Sequence, residues 1–256
     1  MWEIYDKLIN GIPEDWKAEE VVRGSSYCYV KSNNGLGIAE LSRYDYRMPM
    51  FTKNIEGSSL RELAVCVKSW NFYEAAVGLA AINAYYNNIE VARKAGVTIG
   101  DSMHVEDRIY DPFIMSQNEI RGKKVTVLGH FPHITTLLAP ICEMKIIAGE
   151  IPQDDDYPVT AVEYLLPESD FVFIGSLSLI DKTFPRLLEL SKNAQKVTVV
   201  GPSTTLAPLL FDYGVRDLSG FIVKNFDKAT RMIKGAENGK IFSTGQKVSF
   251  KNTRIR

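Results

Sequence analysis

His130 and His133 form an H-x-x-H pair inside VTVLGHFPHI, and Cys142 and Glu143 follow a short distance on. Together they offer nitrogen, sulfur and oxygen donors of the kind that bind zinc, nickel or cobalt. Pro132 stands between the two histidines and marks a turn into a helix, so the spacing does not place both rings on one helical face. His130 carries more by itself. It directly follows Gly129, the last residue of a strand, and would project beyond that strand as a hydrogen-bond donor, an acid/base, or a single ligand to a metal already held by a chelator. Glu150 follows Gly129 at the spacing of the acid that binds a ribose in dinucleotide folds. Phe131 and Pro132 replace the residues that would let backbone amides approach a pyrophosphate, so NAD or S-adenosylmethionine is disfavoured relative to another small ligand.

The segment VVGPSTTLAPLL suggests an anion site. Pro202 suits a first helical turn after Gly201, and Ser203, Thr204 and Thr205 would cluster hydroxyls and free amides there, at the positive end of a helix dipole. Plain capping by Ser203 or Thr204 accounts for the same residues. His104 lies among Asp101, Glu106, Asp107 and Asp111, which reads either as a hard-metal site or as a solvated acidic loop. Cys28 and Cys66 sit on apolar patterns and read as core. Three cysteines without C-x-x-C spacing support neither a disulfide framework nor a zinc ribbon. With no G-x-S-x-G, Walker loop or H-E-x-x-H, hydrolase and kinase chemistry has no support.

Four β-branched runs, ending at Gly129, Gly149, Gly175 and Gly201, are separated by helix-length segments, and GFIVKN adds a fifth. They predict a Rossmann-like, doubly wound, mostly parallel sheet over residues 123–256, with ligands beyond the strands' carboxyl ends. A helix capped near Asn225 or Asp227 and a solvated basic tail would follow. Residues 1–87 read as a small α+β unit of ββαα order: a hairpin around Ser32–Gly35, a helix from Ser58 or Ser59, and a helix capped by Asn71 with Glu74 completing a capping box. Residues 88–122 would connect the two units. With 30 Lys plus Arg against 31 Asp plus Glu, nothing calls for nucleic acid or an anionic membrane. No apolar run is long enough to span a bilayer and the first residues lack a signal-peptide pattern, so the expectation is a cytoplasmic protein, with a homodimer the commonest assembly.

SLRELA, AAVGLAAINA, VTVLGHFP and GPSTTLAPLLFDYGV, in that order, resemble the family that pairs DUF4213 with DUF364 and is named for heavy-metal chelation. The resemblance implies an enolase N-terminal-like domain followed by a Rossmann-like domain, with a site in the cleft between them. That cleft would draw on Asn83, Gly129, His130, Gly201, Pro202 and Ser203, to which the strand pattern adds Gly175. Asn83 would either close the site or bond a loop carbonyl to fix the domain junction. The implied partner is a small anionic molecule, a metal chelator or its divalent heavy-metal complex, whether turned over or only sensed and carried. Enolase chemistry itself does not carry over, because its catalytic groups lie mostly on a barrel for which this chain is too short.

Overall fold

The computed structural model describes residues 2–42, 47–51, 55, 57–100, 107–131, 133–147, 153 and 155–253, without the side chains of residues 107 and 108. After a helix at Glu3–Asn10, strands β1 (Ala18–Arg23), β2 (Tyr27–Ser32) and β3 (Leu36–Glu40) form an antiparallel sheet in that order. The expected hairpin is β2–β3, and the Ser32 hydroxyl closes its turn by accepting from Gly35 N–H at 2.9 Å. The N-terminal helix and β1 are additions to the ββαα expectation. β1 reads AEEVVR, with charges at both ends and no clean alternation, which hides an edge strand from a periodicity reading.

The helix Phe72–Tyr86 is the centre of the molecule, with twelve of its fifteen residues buried. Its small residues allow backbone contact on more than one side. A Cβ on Gly37 of β3 would lie 2.1 Å from both Ala80 O and Ala84 N, so any larger residue there would push the sheet off the helix. Asn71 caps this helix as expected, its Oδ1 accepting from Glu74 N–H at 2.8 Å. The reciprocal half of the capping box is absent, because Ser69 Oγ takes the Asn71 N–H and the Glu74 carboxylate turns to residues 50 and 51.

The second sheet comprises β4 (Lys124–Leu128), β5 (Glu143–Ile147), β6 (Phe171–Gly175), β7 (Lys196–Val200), β8 (Asp217–Val223) and β9 (Gly245–Lys251). Its order is β5-β4-β6-β7-β8-β9, all parallel except β9, which pairs antiparallel with β8. The chain runs outward from β4 to β5 and returns to β6 on the other side of β4, so the strand order reverses between β4 and β6. Open α/β sheets bind ligands at that point, and the order 2-1-3-4-5 of the parallel part is that of flavodoxin-like sheets rather than the six-stranded dinucleotide fold. Both faces are covered. Val172 and Ile174 of β6 join one core, with Leu179, Phe184 and Leu187, while Phe171 and Phe173 join another, with Phe113, Ile134 and Leu138.

The first of those cores runs without a break into the N-terminal part, through Leu79, Ile82 and Leu63. On the far face of the small sheet, Tyr29 and Ile38 pack with Phe221, Val223 and Ile233, beside the helix Phe226–Ile233 that Asn225 caps. The two sheets are therefore joined through shared cores on both faces of the smaller one. β9 ends at Lys251, whose side chain is exposed, and residues 254–256 of the basic tail lie outside the described residues. Among the described residues no helix is long and apolar enough to cross a membrane.

Candidate functional site

At the carboxyl end of β4, His130 Nε2 lies 2.5 Å from Asp156 Oδ2. Asp156 comes from a segment that runs back along β5, where Tyr157 bridges Ile147 and donates its N–H to Ile146 O at 2.9 Å. Its side chain is only 3 % exposed, against 24 % for His130, so the carboxylate is an inner brace and the imidazole the outer group. Burial opposes ionisation of Asp156. The Gln153 N–H, at 2.7 Å, and the His130 ring together outweigh that cost and hold its pKa below the usual aspartate value. An ionised carboxylate only accepts, so Nε2 carries the proton, and in neutral imidazole Nδ1 is left with its lone pair free to take a proton or a metal.

Across the reversal point, Gly175 ends β6 and a Cβ there would lie 2.9 Å from Leu128 O. Phe131 folds back over this position, its ring 3.9 Å from the same point and 5.1 Å from Phe113. The ring thus lies beside both Gly129 and Gly175. Next to Gly175, Ser176 is 2 % exposed and its hydroxyl has no hydrogen-bond partner among the described residues. Gly201, which ends β7, has a φ of +129°, and a Cβ on it would lie 2.4 Å from Ser176 Oγ. Both the backbone and the neighbouring hydroxyl thus require glycine there.

The helix expected to start at Pro202, whose amides were to bind an anion, is not formed. No helix begins there; Thr204 N–H closes a turn onto Gly201 O, and the next helical turn starts at Pro208. The reason lies on the central helix. Asn83 Nδ2 donates to Ser203 O and Ile38 O at 3.0 Å each, and Asn87 donates to Thr204 O while accepting from Leu206 N–H. Those main-chain groups are the ones a helix would have used. The hydroxyls are also taken inward: Ser203 Oγ accepts from Glu40 N–H at 2.7 Å, Thr205 donates to Asn83 Oδ1 at 2.6 Å, and Thr204 Oγ1 is buried without a partner. Asn83 is thus bound to a strand on one side and a loop on the other.

Glu150 lies outside the described residues, as do Pro132, Asp101, His104 and Glu106. Asp111, from the same acidic run, caps the helix Pro112–Ser116 by accepting from Phe113 and Ile114 N–H. His133 is exposed at the start of the helix Ile134–Leu138, and Glu143 pairs with Lys145. Cys142 is half-buried with its thiol on Leu138 O, and burial pushes the thiols of Cys28 and Cys66 up to about 12, as for inert core residues. Among the described residues no group of three His, Cys, Asp or Glu side chains could hold a metal ion. An open cavity of about 670 Å³ lies elsewhere, lined by Trp16, Tyr85, Leu206 and Pro208. Its charged members, Glu90 and Lys94, are exposed helix residues.

Sequence reading missed Asp156, one of three consecutive aspartates whose selection depends on the distant bridge to β5. It also missed Lys182, which follows the short helix Ser178–Asp181 with a φ of 68°. Its ammonium donates to Ser69 O and Ile180 O and lies 5.0 Å from the Phe72 ring and 5.5 Å from the Trp70 ring. Burial lowers its pKa to about 8, against the opposing pull of Asp181 and Glu74.

Comparison with known proteins places these features in a family. The model for DUF364, described as "Putative heavy-metal chelation", matches residues 111–252, and that for DUF4213, with the same description, matches residues 5–86. A crystal structure of a DUF364-family protein of unknown function from Desulfitobacterium hafniense DCB-2 is 54 % identical with a TM-score of 0.91, covering 98 % of this chain and 99 % of that one. One from Pyrococcus horikoshii, also of unknown function, shares the fold at a TM-score of 0.74 and 22 % identity, over 97 % of this chain and 98 % of its own. An uncharacterised protein of Methanocaldococcus jannaschii is 27 % identical over 96 % of this chain and 95 % of its own length.

Proposed function

We propose, since this chain belongs to the family that pairs DUF4213 with DUF364, that it binds a small anionic metal chelator, or the chelator's heavy-metal complex, in the cytoplasm. The binding place is the carboxyl end of the parallel sheet, between β4 and β6. The observation that carries this reading is the His130–Asp156 pair: an imidazole held by a nearly buried carboxylate, at the point where the strand order reverses. Nδ1 of His130 is the atom that meets the ligand. Toward a bare chelator it takes a proton from an acidic group, and the resulting imidazolium attracts the anion. Toward a metal complex it supplies one further donor to an ion whose other ligands come from the chelator. The half-buried Gly129 and the Phe131 ring form the adjoining wall.

The test is thermal-shift screening of the chelator-treated protein against polycarboxylate and catecholate chelators, divalent metals, NAD and S-adenosylmethionine, singly and as metal-plus-chelator pairs. A ligand at a hundredfold excess over its dissociation constant adds about 2.7 kcal/mol of stability. Stabilisation by a chelator or its complex, lost in His130→Gln with the unliganded melting point unchanged, is the expected result. Stabilisation by NAD or S-adenosylmethionine alone would overturn the reading.

A further inference from the structure

Met48 and Met50 are among the most exposed apolar side chains of the molecule, at 85 % and 74 %, yet the chain that carries them is firmly held. The buried Glu74 carboxylate accepts from Met50 N–H at 2.8 and 3.0 Å and from Phe51 N–H at 2.5 Å. Asn71 Nδ2 donates to Arg47 O at 2.5 Å, so the short segment is gripped on both sides of Met-Pro-Met. Burying a carboxylate is costly unless it is well bonded, and here its bonds go to a surface strap. Phe51 turns inward onto the main core, which accounts for anchoring that end of the strap. It does not account for two thioethers facing solvent around a proline that stiffens the backbone between them.

We propose that Met48 and Met50 form a binding site for a soft monovalent cation of the copper(I) or silver(I) type, independent of His130. Thioether sulfur is a neutral, polarisable donor, and such donors select copper(I) over zinc or magnesium. Residues two apart have α-carbons no more than about 7 Å apart, and each methionine adds three rotatable bonds, so both sulfurs can reach one ion. Glu74 and Asn71 hold the backbone in place beforehand, which lowers the entropy cost of bringing the two donors together. The ion binds without electron transfer or covalent chemistry.

Silver(I) is the probe, titrated into the full chain carrying Cys142→Ser to remove the half-buried thiol. Binding is followed by calorimetry and by the methyl carbon resonances of labelled methionine. The expected result is one equivalent bound, with two methionine methyl signals shifting. Met48→Leu with Met50→Leu, which keeps side-chain volume at exposed positions, weakens binding at least tenfold with the melting point unchanged. His130→Gln leaves it unchanged, so this site and the chelator site fail separately. Undiminished affinity in the double leucine variant, or shifts confined to other methionines, overturns the proposal.

Discussion

Replacing Asn83 with Ala decides between its two readings, as a ligand group or as a structural tie. The side chain is 1 % exposed, and its amide donates to Ile38 O and Ser203 O at 3.0 Å and accepts from the Thr205 hydroxyl at 2.6 Å. Alanine leaves two carbonyls and a hydroxyl facing a cavity. Each buried polar group stranded in this way costs about 1–3 kcal/mol, and partial relaxation or an entering water brings the sum to about 3–5 kcal/mol. For a chain of this size that corresponds to a fall in melting temperature on the order of 10 °C. Asn83→Asp keeps the acceptor but loses both donors and sets a carboxylate against two carbonyl oxygens, so it falls at least as far. The assay is thermal unfolding of the three proteins by circular dichroism, with chelator binding measured below the lowest transition. An Asn83→Ala protein that melts within about 1 °C of the parent and has lost chelator binding would refute the reasoning, since it would make Asn83 a ligand group rather than a tie.

Two further outcomes concern pH. The native pKa of Asp156 is lowered, so the stability it contributes is complete above the ordinary aspartate range near about pH 4 and is lost as the pH falls through the lower native value. Asp156→Asn should therefore be less stable than the parent at neutral pH and converge with it in acid, as measured by urea unfolding from pH 7 to 2.5. Lys182 has the same sign at higher pH: with a native pKa of about 8 and an unfolded value near about 10.4, the unfolded chain holds its proton longer, and stability rises with pH between those values. The difference in unfolding free energy between the parent and Lys182→Met should grow in the parent's favour from pH 8 to 10.5, and a flat difference would show that Lys182 does not titrate there.

Four of the five parallel strands were legible because each is a short β-branched run closed by glycine, and alternate residues of β6 do face separate cores. Local signals also gave the hairpin at Ser32–Gly35 and the caps at Asn71 and Asn225. What failed was local chemistry overridden from a distance. Gly-Pro-Ser-Thr-Thr has every mark of a helix start, but Asn83 and Asn87, more than a hundred residues earlier, take the main-chain groups that a helix would need.

The same bonds bear on where the proposed ligand sits. A loop whose carbonyls are tied to the central helix and whose hydroxyls point inward is a joint between the two sheets, and the cores shared across that joint hold it shut. Ligand chemistry then belongs to groups that the fold holds without consuming. In the proposed reading His130 meets that condition, with one ring nitrogen braced by Asp156 and the other turned to the ligand. Its position after Gly129 was readable in the sequence, whereas the carboxylate that gives the ring its orientation was not. Which of three adjacent aspartates reaches His130 is fixed only when Tyr157 aligns with the end of β5.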